Sequence, residues 1–67
     1  MKEITRKQVE EKNLKLIGRI ANSDFSKIIL LMERYKENKK IKYYVVDLIL
    51  YNEKTQRGEF RISFWGE

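Results

Sequence analysis

Alternating apolar and polar positions dominate residues 41 to 66, the C-terminal third of the chain. Two runs rich in β-branched and aromatic residues flank a polar segment that contains Gly58, a pattern that predicts a β-hairpin. Because successive side chains of a strand lie on opposite faces, the even-numbered apolar residues share one face. This predicted core face consists of Tyr44, Val46, Leu48 and Leu50 from one strand and Phe60, Ile62 and Phe64 from the other.

Gly58 predicts how the hairpin turns. It suits the left-handed position of a three-residue loop, Gln56 to Gly58, closed by a G1 bulge. That register pairs Thr55 with Glu59, whereas a wider loop from Asn52 to Gly58 shifts the register by four residues. Both registers have the same parity, so both leave the same side chains on the same face.

The second face of the hairpin is neither fully polar nor fully apolar. Its candidate interface residues are Tyr43, Tyr51, Arg61 and Trp65, and Asp47 lies on the same face. Aromatic residues and arginine in this mixture are typical of protein interfaces and of surfaces on which nucleic-acid bases stack. Three interpretations remain open: the N-terminal segment covers this face, a protein partner or a second copy covers it, or nucleic acid binds there.

A helix is predicted over residues 24 to 38. Asn22, Ser23 and Asp24 break the preceding run, and either Ser23 or Asp24 can act as the N-cap. Asn38 tolerates the left-handed conformation of a helix C-terminus. The apolar residues at helical spacing are Phe25, Ile28, Ile29, Met32 and Tyr35, with Leu31 beside them. We expect this helix to lie on the sheet face formed by Leu48, Leu50, Phe60 and Ile62.

The N-terminal region is less strongly patterned. Residues 1 to 4 are expected to fray, and Thr5 with Gln8 has the spacing of a capping box, which predicts a helix from Arg6 toward Asn13. Residues 14 to 21 fit a strand or a helix. We favour the strand because a two-stranded hairpin alone is marginally stable; a helical segment would instead give a helical pair packed on a hairpin.

These elements predict an α+β fold with the order (α)βαββ. Its sheet has three strands, is mainly antiparallel and ends in the β-hairpin, and one amphipathic helix packs on one face. Residues 1 to 67 are predicted to form a single domain, since the chain contains no proline, repeat or low-complexity linker.

The composition narrows the possible chemistry. The chain has no histidine and no cysteine, so we predict no enzyme activity, no metal site and no cofactor. Neither a membrane-spanning run nor the apolar core of a signal peptide occurs, so we predict a cytoplasmic protein without a membrane partner. The formal net charge is +5 and the sequence pI is about 9.6, which favours polyanionic partners.

The first functional hypothesis is a small, basic, non-enzymatic protein that binds DNA or RNA as an accessory or regulatory factor. Its phosphate-binding candidates are Lys27, Arg34, Lys36, Lys39, Lys40 and Lys42, together with Lys54 and Arg57 at the hairpin tip. A solvated helix face is the simpler explanation for part of this set, because lysines near a helix C-terminus also suit the helix dipole.

The alternative is a protein interaction module or inhibitor, either monomeric or homodimeric, that uses the aromatic second face or a strand edge. A small ribonuclease that uses Tyr43, Tyr51 and Arg61 is a third hypothesis, but it lacks a base with a suitable pKa. An ion pair between Asp47 and Arg61 is the more ordinary expectation for that part of the sheet.

Overall fold

Four strands and two helices form the part of the chain that the structure, a computed structural model, describes: residues 1–55 and 57–67, with Phe25 described by its backbone alone. The elements are β1 (Lys2–Glu3), α1 (Arg6–Lys12), β2 (Lys15–Asn22), α2 (Phe25–Lys36), β3 (Tyr43–Asn52) and β4 (Arg57–Gly66). The strands make one mixed sheet in the order β1-β3-β4-β2. β1 is parallel to β3, and the other two neighbouring pairs are antiparallel.

The predicted three-stranded sheet with one helix is therefore wrong. The fourth strand comes from the N-terminus, where Lys2 pairs with Tyr43 and Glu3 with Tyr44. Ile4, the next residue, is buried, so this segment is paired and packed where the sequence suggested fraying. A two-residue strand is too short to carry an alternating pattern, which is why the sequence did not indicate it.

Helix α1 begins where the capping box predicted. The Oγ1 atom of Thr5 accepts a hydrogen bond from the backbone N–H of Gln8, whose side-chain Oε1 accepts one from the backbone N–H of Thr5. Asn13 ends the helix in the left-handed conformation, with φ of 53°. Between these ends, Val9 is buried and packs with Ile4 on one face of the sheet, called here the α1 face.

Helix α2 covers the opposite face, called here the α2 face. Asp24, one of the two predicted N-cap candidates, is its N-cap. The helix ends at Glu37 in a right-handed conformation, so Asn38 does not provide a left-handed cap. The core beneath it contains Ile20, Ile28, Ile41, Phe60, Ile62 and Phe64, with Leu31, Met32, Tyr35 and Tyr44 packed around them. The side chain of Phe25, part of the predicted apolar stripe, lies outside the described residues.

The strand interpretation of residues 14 to 21 is confirmed by β2, which is antiparallel to β4. Helix α2 connects β2 to β3 along the chain, but in the sheet β4 lies between these two strands. Gly18 lies on the α2 face, where Tyr35 stacks on Phe64 with ring centroids 4.1 Å apart. A Cβ at Gly18 would come within 2.8 Å of Cε1 of Tyr35, so the glycine makes room for that ring.

A β-bulge at Asp47 changes the side-chain pattern of β3. Val46 lies opposite Ile62, but Leu48 lies opposite Arg61, so Asp47 is an extra residue without an opposite partner. Beyond the bulge, Leu48 and Leu50 lie on the α1 face, and Ile49 and Tyr51 lie on the α2 face. The prediction that Leu48 and Leu50 share the core face with Phe60 and Ile62 is therefore wrong.

The predicted role of Gly58 is also wrong. Gly58 lies within β4 opposite Tyr51 and does not have a positive φ, while the turn follows Asn52. The Oδ1 atom of Asn52 accepts a hydrogen bond from the backbone N–H of Lys54. Gln56, part of the predicted three-residue loop, lies outside the described residues. The physical need for glycine is a close approach, because a Cβ at Gly58 would collide with the backbone carbonyl oxygen of Leu50.

Gly58→Ala is expected to destabilise the protein by about 1–3 kcal/mol, because the added methyl group meets rigid backbone. Gly18→Ala is the matched control, since its new Cβ meets the movable ring of Tyr35 and a smaller loss is expected. Urea denaturation followed by circular dichroism measures both. Equal losses, or no loss at Gly58, would contradict the packing described for β3 and β4.

The Asp24 cap should make stability depend on pH. Hydrogen bonds from the side chain and backbone of Ser26 lower the pKa of Asp24 below its ordinary value of 3.8. A lowered folded-state pKa stabilises the fold above the unfolded-state pKa, and this contribution is lost as the pH falls through the folded-state value. The melting-temperature difference between wild type and Asp24→Ala should therefore shrink between pH 5 and pH 2, whereas the difference between Asp24→Asn and Asp24→Ala should stay constant.

Candidate anion-binding cleft

Helix α1 covers part of the α1 face. Val45 is buried against Val9, and Tyr43 and Trp65 are half-buried around them. The ammonium group of Lys12 lies 5.3 Å from the centroid of the Tyr43 ring, a cation–π contact. Two of the four predicted interface residues, Tyr43 and Trp65, are thus packed together beneath the N-terminal segment.

A partly buried hydrogen bond orients the indole ring of Trp65 on this face. Ser63 is completely buried, and its Oγ atom accepts a hydrogen bond of 2.8 Å from Nε1 of Trp65. Because a buried hydroxyl group needs a hydrogen-bond partner, the pair holds Trp65 in a fixed orientation.

An arginine-lined cleft lies beside that covered region. It is a cavity of about 210 Å³ to which α1, β2, β3 and β4 all contribute. Its charged residues are Arg6, Arg19, Arg61 and Asp47, which define what is called here the arginine cleft. Three arginines that are distant in sequence therefore line one cavity together with one aspartate.

Two ion pairs organise the arginine cleft. Arg6 pairs with Asp47, whose side chain is only 17% exposed. Arg61 pairs instead with Glu59. The Oε1 atom of Glu59 accepts hydrogen bonds from Nε of Arg61 at 2.9 Å and from Nη2 of Arg61 at 2.6 Å. The expected pair between Asp47 and Arg61 is absent from the described ion pairs. The bulge and the start of α1 explain this, because they bring Asp47 to Arg6.

Arg19 differs from the other two arginines. It is exposed, and within residues 1–55 and 57–67 no ion pair or hydrogen bond engages its side chain. Three guanidinium groups carry about fifteen N–H donors. Of these, three donate to Asp47 and Glu59. The other guanidinium donors make no hydrogen bond to a described residue.

The predicted phosphate-binding residues do not form one surface. Lys27 and Arg34 border a separate groove of about 550 Å³ beside the exposed Leu30 of α2. Lys36 forms an ion pair of 3.1 Å with Glu33.

The remaining predicted phosphate-binding residues lie at two ends of β3. Lys39, Lys40 and Lys42 precede this strand, and Lys54 and Arg57 lie at the hairpin tip. Since a ten-residue strand spans roughly 30 Å, these two groups cannot contact one phosphate together.

Of the predicted interface residues, Arg61 alone lines the arginine cleft, since Tyr51 lies on the α2 face with its ring centroid 6.3 Å from that of Phe60. The sequence interpretation missed Arg6 and Arg19 as site residues. The odd-numbered position of Arg19 in β2 was the available indication, because strand alternation places it on the face of Arg61. Arg6 carried no comparable indication.

Searches of protein-family models, of curated proteins and of solved structures found no match to the chain. No described helix is long and apolar enough to cross a membrane. The described residues also contain no group of three or more acidic residues placed to hold a metal ion.

Proposed function

We propose that the protein binds nucleic acid through its phosphate backbone, with the arginine cleft as the main contact. The observation that carries this proposal is the convergence of Arg6, Arg19 and Arg61 on one cavity. Guanidinium groups suit phosphate because their planar N–H donors match two phosphate oxygens at once. Such contacts fix the position of the backbone without reading the base sequence.

The two carboxylates preorganise the site. Asp47 holds Arg6 through one guanidinium nitrogen, and Glu59 holds Arg61 through Nε and Nη2. A side chain that is already held loses less conformational entropy when a ligand binds. Arg19 supplies the charge that no carboxylate offsets, so it should contribute most to anion affinity.

The overall charge assists the encounter. The net charge of +5 attracts a polyanion from a distance, and this attraction weakens as salt is added. Lysines outside the arginine cleft, including those on α2, contribute to this general field. Binding through the cleft and attraction by the whole surface are therefore separable by mutation.

Replacing Arg19 by Gln should weaken binding and lower its salt dependence. Three phosphate contacts on duplex DNA correspond to a slope of about −2.7 in the plot of log affinity against log salt, and loss of one contact reduces it by about 0.9. Fluorescence anisotropy with labelled duplex DNA, single-stranded DNA and single-stranded RNA measures the slope for each ligand.

Arg34→Gln is the matched control, because it removes the same charge from an exposed arginine beside the groove on α2. It should leave the slope nearly unchanged. Equal effects of the two substitutions would indicate attraction by net charge alone and would contradict a role for the arginine cleft, as would a lack of salt-sensitive binding by the wild type.

Asp47→Asn should strengthen nucleic-acid binding. The substitution keeps the size of the side chain and its ability to accept a hydrogen bond from Arg6, and it removes the negative charge inside the arginine cleft. The same anisotropy titration tests it, with circular dichroism as a check on folding. Weaker or unchanged binding by the folded variant would contradict the proposed electrostatics.

A further inference from the structure

The outer edge of β3 is only partly used. β1 pairs with Tyr43 and Tyr44 and then ends, because Thr5 starts α1. Residues 46 to 52 of β3 consequently have no described strand on the β1 side, and this segment is called here the open edge. An unpaired strand edge is a template for another strand.

The backbone groups of the open edge point outward at alternate residues. A Cβ on Gly58 would collide with the carbonyl oxygen of Leu50, so that carbonyl faces β4. Because backbone groups alternate in direction along a strand, the N–H and C=O groups of Ile49 and Tyr51 face away from β4. These groups are oriented to pair with an added strand.

The side chains of the open edge are unusually apolar for a surface. The sequence from Leu48 to Tyr51 contains no charged residue. Ile49 and Leu50 are each 58% exposed and Tyr51 is 54% exposed. Proteins usually protect a free strand edge with charged residues or proline, and neither is present in these four positions.

We propose that the open edge pairs with the open edge of a second copy of this chain, antiparallel and around a two-fold axis. A two-fold axis perpendicular to the sheet sets one residue opposite the same residue of the other copy. We place the axis at Ile49, whose backbone groups face outward. Leu48 then lies opposite Leu50 of the other copy, on the α1 face. The pairing buries aliphatic side chains on both faces of one continuous sheet.

Other registers fit less well. An axis at Leu50 would set Asp47 opposite Glu53 of the other copy, and like charges directly opposite each other destabilise a sheet. An axis at Tyr51 would set Ile49 opposite Glu53 and Leu50 opposite Asn52. The Ile49 axis alone pairs three consecutive aliphatic residues with aliphatic residues.

The end of the open edge has space for the second copy. A cavity of about 490 Å³ lies where β1 gives way to α1, with Glu3 and Arg6 among its lining residues. In the proposed register, Val46 lies opposite Asn52 of the other copy. The paired segment therefore stays within residues 46 to 52 and leaves the pairing of Glu3 with Tyr44 intact.

The dimer would place both arginine clefts on the same side of the molecule, because a two-fold axis perpendicular to a sheet preserves its faces. Arg61 lies opposite Leu48, one strand inward from the open edge. From ordinary strand spacings, the two Arg61 Cα atoms would be about 16 Å apart. One nucleic acid could then contact both clefts.

Sedimentation equilibrium without nucleic acid tests the dimer. Wild type should sediment as a dimer, and Leu50→Lys should sediment as a monomer with an unchanged circular dichroism spectrum, because it places charges at the paired edge. Leu30→Lys is the matched control: Leu30 is 66% exposed, but on α2, so this variant should remain a dimer. A monomeric wild type, or equal effects of the two substitutions, would overturn the proposal.

A single introduced cysteine tests the register, since the natural chain has none. Opposed residues of a hydrogen-bonded antiparallel pair have Cα atoms about 5.5 Å apart, within the roughly 4.4–6.8 Å that a disulfide spans. Ile49→Cys should form a disulfide-linked dimer under mild oxidation much faster than the control Leu30→Cys. Equal rates would overturn the register. Because these experiments contain no nucleic acid, their failure would not count against the arginine cleft.

Discussion

The single extra residue at Asp47 determines what this sheet can do. In an uninterrupted strand, Leu48 and Leu50 would face α2 with the rest of the apolar row. Because the bulge reverses the alternation, these two leucines lie on the α1 face, and Ile49 with Tyr51 extends the α2 face beyond the helix. The same residue is the carboxylate of the arginine cleft, where it holds Arg6.

Two exposed features, the open edge and the arginine cleft, both include Asp47. β3 continues past the short strand β1, so its distal half has no neighbour on that side. The bulge distributes its apolar side chains over both faces, where neither helix covers them completely. An open, apolar strand edge and a charged cleft consequently lie next to each other. This proximity links the proposed self-association to the proposed nucleic-acid binding.

The helix starts were predicted correctly because their signals are local. Most of the wrong predictions concern how strands distant in sequence pair with each other. The Thr5 capping box and the Asp24 N-cap each satisfy backbone donors within a few residues, so the sequence reveals them directly. The bulge follows from how β3 packs on β4, and the apolar row from Tyr44 to Leu50 gives no local indication of it. Glycine is common in turns, but at position 58 it is required because the carbonyl oxygen of Leu50 lies too close for a Cβ atom.

The candidate site was less predictable than the secondary structure. Arg6, Arg19 and Arg61 converge because β4 lies between β2 and β3, a strand order that no short pattern encodes. Cross-strand nuclear Overhauser effects measure the register of β3 on β4 and so test the bulge at Asp47. With the extra residue in place, Val46 contacts Ile62 and Leu48 contacts Arg61. Contacts of Leu48 with Phe60 in their place would show an uninterrupted strand and contradict the bulge.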